Sequence, residues 1–169
     1  MPSTTTQPLL NASPLQIIEH AFTKVEVRAN NPYAENSSAN LTCNRSIESS
    51  KDSPDIWKVS LEVKIDTIDQ AKPTNYTAAI AVTGKFRIRD GYPTEKKRTL
   101  MEVTAATILY GCCREMLATV TGRCENGIVS LPSITFASSP DEEKNMAKKT
   151  VARKAAKKAK PKVSSDQSS

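Results

Sequence analysis

Two runs of strict alternation constrain this chain more than any other feature. Trp57, Val59, Leu61, Val63 and Ile65 fall on one face of an extended segment; Lys58, Ser60, Glu62, Lys64 and Asp66 fall on the other. A period of two is the mark of a half-buried strand, because successive side chains point to opposite faces. Tyr76 to Arg89 repeats it, with Ala78, Ile80, Val82, Gly84, Phe86 and Ile88 inward and Lys85, Arg87 and Arg89 toward water. Gly84 inside this run reads as a bulge. The turn Ala71-Lys72-Pro73-Thr74-Asn75 joins the two runs, and so short a connection pairs antiparallel neighbours. A sheet with one apolar face needs a cover.

The cover is written downstream. Thr99 to Arg123 reads as a helix with Met101, Ala105, Ile108/Leu109, Cys112, Met116 and Val120 along one stripe. Gly111 sits inside it at a cost of about 1 kcal/mol against Ala. Upstream, Leu15–Ala29 alternates toward its end, with Phe22, Lys24, Glu26 and Arg28 interleaved with Val25 and Val27, and reads as a first strand ended by Asn30-Asn31-Pro32. Residues 33–55 are polar and aperiodic, which predicts a long crossover loop. Glu125-Asn126-Gly127 reads as a turn, and Ile128–Phe136 as a strand that Pro132 confines to an edge or a strand start. Ser139-Pro140-Asp141-Glu142-Glu143 looks like a helix start, the helix running through Lys144–Lys160 to Pro161. The predicted order is β-β-β-α-β-α: an α+β domain, a four-stranded antiparallel sheet with a long helix and a C-terminal helix.

Charge divides the chain. Residues 144–169 hold nine Lys/Arg and a single acid, Asp166, so the net +6 of the whole becomes about +8 on the tail and −2 on the body. The basic character belongs to the tail, and the body has no stamp of a nucleic-acid-binding domain. The organisation expected is an N-terminal arm over 1–14, a domain over 15–143 and a basic Lys/Ala-rich tail over 144–169. Four cysteines occur without a Cys-x-x-Cys pair, and His20 is the single histidine, which argues against a zinc site. No cofactor motif is present, and no basic start with an apolar run suggests a leader. The expectation is a reduced, cytoplasmic protein.

From Leu15 to Phe136 the chain resembles the SecB-type chaperones. Asp55-Ile56-Trp57-Lys58, opening a strand that ends in Lys64-Ile65-Asp66-Thr67, is similar to the family's second strand, with Trp57 in the place of its crossover-loop tryptophan. Gly84-Lys85-Phe86-Arg87-Ile88 resembles the third strand. Leu109-Tyr110 and Arg114-Glu115 fit the helix signature, and Leu131-Pro132 with Phe136 the terminal strand. The helix departs from the family pattern where Gly111 and Cys112 replace a proline and a tyrosine. Lys72-Pro73-Thr74-Asn75 replaces an acidic stretch that, with an acidic tail, recruits the export motor SecA; with a basic tail here, SecA coupling is in doubt.

The resemblance implies a non-enzymatic, ATP-independent holdase for unfolded or pre-export polypeptides, with a role in protein translocation. It would be a homotetramer built as a dimer of dimers, without membrane insertion. Holding extended chains takes apolar and aromatic side chains and backbone pairing. Trp57, Phe86, Tyr110, Met116 and Leu117 are the groove candidates. The alternative is a dedicated SecB-like chaperone of a toxin–antitoxin system, or an interaction protein that touches nucleic acid. Lys148, Lys149, Arg153, Lys154, Lys157 and Lys158 are candidates for anionic contact, since neutralised phosphates release counterions. Arg114-Glu115, His20 and Cys112-Cys113 read as structural, and no convergent polar cluster suggests an enzyme.

Overall fold

The structure is a computed structural model that describes residues 13–31, 37–50 and 53–137. Four strands, β1 (Leu15–Ala29), β2 (Ala39–Ser49), β3 (Ile56–Thr67) and β4 (Tyr76–Ile88), form one antiparallel sheet in the order β1-β4-β3-β2. A helical stretch follows: α1 (Thr94–Leu100), a π-helical turn (Met101–Ala105) and α2 (Ala106–Thr121). Compact grouping separates Met1–Phe136 from Ala137–Ser169. The expected arm lies almost wholly outside the described residues, and the C-terminal helix and basic tail lie outside them entirely.

The alternation of β3 and β4 holds position by position. Val59, Leu61, Val63, Ile65, Ala78, Ile80, Val82, Phe86 and Ile88 are buried beneath the helix. Gly84 is also inward, but it marks no bulge. The irregularities lie on β1, between Ile17 and Glu19 and between Phe22 and Lys24. A Cβ on Gly84 would stand 2.7 Å from Phe86 Cε2 and 2.9 Å from Leu109 Cδ2. The glycine is there so that an aromatic ring and a helix leucine can meet over the sheet.

Two expected elements exchange roles. The crossover predicted as a loop over 33–55 contains β2, which pairs with β3 from Ala39↔Thr67 to Ser49↔Trp57. Its inward side is apolar only at Leu41, Cys43 and Ile47, with Arg45 among them, so its hydrophobic signal is weak. Conversely, 128–136 joins no ladder. Pro132 has no N–H to give, and the inward residues Leu131, Ile134 and Phe136 do not follow a period of two. The sheet is four-stranded as expected, with a different fourth strand.

The helix also differs in phase. Its buried residues are Met101, Ala105, Ala106, Leu109, Tyr110, Cys113, Leu117 and Thr121, where a uniform α-helix would have buried Cys112, Met116 and Val120. The π-turn explains this: one extra residue rotates everything after it by about one α-helical step, roughly 100°. The helix begins five residues earlier than predicted, directly after Pro93. Lys97 at its start pairs with Asp55 ahead of β3.

Three asparagines close the far end of the sheet. Asn126 Nδ2 donates to the carbonyls of Asn30 (2.8 Å) and Asn75 (3.1 Å), and Asn30 Nδ2 donates to the Thr74 carbonyl (2.8 Å). The latch ties the end of β1, the β3–β4 turn and the turn after α2 together through their carbonyls, beside the backbone bond from Asn30 N–H to the Asn75 carbonyl (2.9 Å).

Candidate functional site

The helix covers the two central strands and leaves the apolar edges of both outer strands partly open. On β1, the register Ile17↔Phe86, His20↔Gly84, Phe22↔Val82, Val25↔Ile80 puts those β1 residues on the helix side. Yet Ile17 and Val25 are 42% and 44% exposed, as is the bulge residue Ile18 at 43%. On β2 the inward Leu41, Cys43 and Ile47 are half-buried. Two apolar flanks therefore run beside the helix, one toward each sheet edge.

The helix residues sort onto these flanks by geometry. Tyr110 and Ile108 differ by two positions, hence by about 200° around the axis. Tyr110 and Arg114 lie on the β2 flank, where the chain's own segment 129–136 runs back along the helix. Thr121 Oγ1 accepts from Val129 N–H (2.9 Å). Arg114 Nε donates to Ser130 Oγ (3.3 Å), and Tyr110 Oη donates to the Pro132 carbonyl (2.7 Å). Arg45 of β2 completes the path: its Nη1 donates to the Glu102 carbonyl (2.7 Å) and to the Phe136 carbonyl (3.4 Å), and its guanidinium lies 5.6 Å from the Phe136 ring centroid. Phe136 also meets Tyr110 edge-on at 6.0 Å. On the opposite flank, Ile108, Cys112 and Met116 face the β1 side, with Ile108 36% exposed.

The five groove candidates do not come together. Phe86 and Leu117 are wholly enclosed, which makes them core residues, while Tyr110 is buried against the chain's own segment 132–136, its hydroxyl donating to the Pro132 carbonyl and its ring meeting Phe136. Enclosed side chains cannot line an accessible groove, so Phe86 and Leu117 are corrected to core. Met116 is half-buried on the β1 flank. Trp57 is half-buried at the start of β3, its Nε1 donating to the Pro54 carbonyl (3.1 Å). The six tail cations lie outside the described residues. Sequence reasoning missed Arg45, Leu41, Cys43, Ile17, Ile18 and Val25. Only the β1 three carried a signal, as apolar residues in a recognised strand.

The other face of the sheet is polar. Glu19, Lys85, Lys58 and Glu48 form one cross-strand row, with Lys85 Nζ 3.7 Å from Glu19. This row floors an open concavity of about 640 Å³. Its charges neutralise each other. Cys113 is buried, Cys43 and Cys112 partly so, and Cys124 is exposed: burial, with Cys112 and Cys43 nearby, pushes Cys113 up to about 12, and burial also raises Cys43 and Cys112. All four cysteines are free. Among the described residues no group of side chains could hold a metal ion, and no helix is long and apolar enough to cross a membrane.

No family model matches the sequence, and no curated protein matches it. Among solved structures, a SecB-like chaperone of Mycobacterium tuberculosis, in complex with a ChAD peptide from the HigA1 antitoxin, is similar at a TM-score of 0.56 with 16% identity, covering 75% of this chain and 93% of its own. A protein of unknown function from Streptococcus agalactiae aligns at a TM-score of 0.46 and 11% identity over 73% of this chain and 100% of its own, too loosely to carry a conclusion. The fold is SecB-like.

Proposed function

We propose that this chain is an ATP-independent chaperone that holds extended, apolar stretches of unfolded polypeptide, built on the domain expected over 15–143. The observation that carries the reading is the partial cover of the sheet: one helix over two strands, with apolar flanks on both sides. Exposed apolar area of that kind on a small body marks an interaction surface, and edge strands offer unpaired backbone to an extended chain. The SecB-like fold supports it.

The two flanks suit two partners. The β1 flank, with Ile17, Ile18, Val25 and Ile108, is continuous with a long edge strand and suits a second copy, as a homotetramer of paired dimers requires. The β2 flank suits clients. The tail cations Lys148, Lys149, Arg153, Lys154, Lys157 and Lys158 would hold the chaperone near phosphate-rich surfaces in a reducing cytoplasm. Pre-export clients fit this reading, while the basic tail and Lys72-Pro73-Thr74-Asn75 stand against SecA as partner.

A second reading rests on one specific observation. The similar mycobacterial chaperone is bound to a peptide from an antitoxin. On that reading this chain serves a single antitoxin-like client. The test is an aggregation assay on several chemically denatured proteins without nucleotide. General holding slows aggregation of all of them at substoichiometric to equimolar chaperone; unchanged aggregation of every one, at excess chaperone, overturns the general reading.

A further inference from the structure

The segment 132–136 has the form of a bound client. It belongs to no ladder, and it turns Ile134 and Phe136 inward while Pro132, Ser133 and Thr135 face out. Two side chains seize it by backbone carbonyls: Tyr110 Oη at Pro132 and Arg45 Nη1 at Phe136. Carbonyls are the same in every residue, so these donors hold any extended peptide with apolar side chains at suitable spacing. The walls are Leu41, Cys43 and Ile47 on β2, with Tyr110 and Arg114 on the helix. Leu131, only 3% exposed, pins the root of the segment in the core, whereas the distal half rests on half-buried contacts.

We infer that the β2–helix groove, with Tyr110 and Arg45 as its carbonyl-directed donors, is a binding site for an extended apolar polypeptide, and that residues 132–136 are its resident occupant, displaced when a client binds. This rests on the reading of the chain as a polypeptide-holding protein. It adds that the site is self-occupied, so apparent affinity is lowered by the fraction of time the strap is seated.

The probe is a fluorescein-labelled synthetic peptide of the sequence Ser130–Ala137, added to the full-length protein. The I134A/F136A double variant removes both inward side chains, with the ring that Arg45 and Tyr110 contact, and so weakens the strap's hold on the seat. The labelled peptide is expected to bind this variant about tenfold more tightly than wild type, a difference of about 1.4 kcal/mol. Equal binding to both, or none to either, overturns the inference. A measurement on unaltered protein guards against a variant that fails to fold: the methyl NMR signal of Ile134 in wild type, with and without saturating unfolded client. A shift of that signal toward its solvent-exposed position supports displacement; an unchanged signal with client bound overturns it. Aggregation suppression by wild type is scored in parallel. Its loss counts against the holding function, and its persistence with an immobile strap counts against the seat alone.

Discussion

Gly84 and Gly111 carry opposite expectations for the same substitution. A Cβ at Gly84 would drive into Phe86 and Leu109, so Gly84→Ala is expected to destabilise by about 1–3 kcal/mol, the usual range for overpacking. Nothing lies within 4 Å of a Cβ at Gly111, so Gly111→Ala should stabilise by about 1 kcal/mol through helix propensity. Urea midpoints check both, and a loss at Gly111 would report a partner packed on that face. The thiols give a pH prediction. The unfolded chain releases the Cys113 proton from about 9.0 upward, while the folded chain keeps it until about 12. This thiol's contribution is complete below pH 9 and is lost as pH rises toward 12, so stability falls across that window, and Cys113→Ser flattens the fall. The inward positions of β3 and β4 were legible because each obeys a period of two. The reason for Gly84 was not, since it depends on Leu109, far off in sequence.

Among the elements, the hairpin β3–β4 was readable and β2 was not. An edge strand needs few apolar residues, and Arg45, the residue of β2 that does most, looks in sequence like a loop cation. Its role comes from where the π-turn leaves the Glu102 carbonyl and where Phe136 ends. The same π-turn shifted the buried helix stripe, a change no hydrophobic period announces. Arg45→Ala is expected to lower stability by about 1–2 kcal/mol, from a charge-assisted hydrogen bond and a cation–π contact. Arg45→Lys should not restore it, because an ammonium cannot stack on Phe136 while reaching two carbonyls. Denaturant unfolding of the three proteins decides this. The asparagine latch predicts a similar loss, about 1–3 kcal/mol, for Asn126→Ala, which removes the two bonds it donates to the Asn30 and Asn75 carbonyls.

At the scale of the molecule, the body carries about −2 and the tail about +8, so two activities should separate by truncation after Glu143. Retention of DNA is expected to vanish with the tail and, in the intact chain, to fall steeply with salt; DNA retardation measures it. Assembly, as proposed, is expected to reside in the body. Light scattering should give a mass above the monomer at micromolar concentration, and Ile17→Asp with Val25→Asp should lower it by charging the β1 flank. A polypeptide-holding protein of this kind distinguishes unfolded chains from folded ones. Binding of one client protein in two forms, native and permanently unfolded by reduction and carboxymethylation, is followed by light scattering without nucleotide. A stable complex is expected with the unfolded form and none with the native form; equal binding of both forms, or of neither, overturns the proposed function.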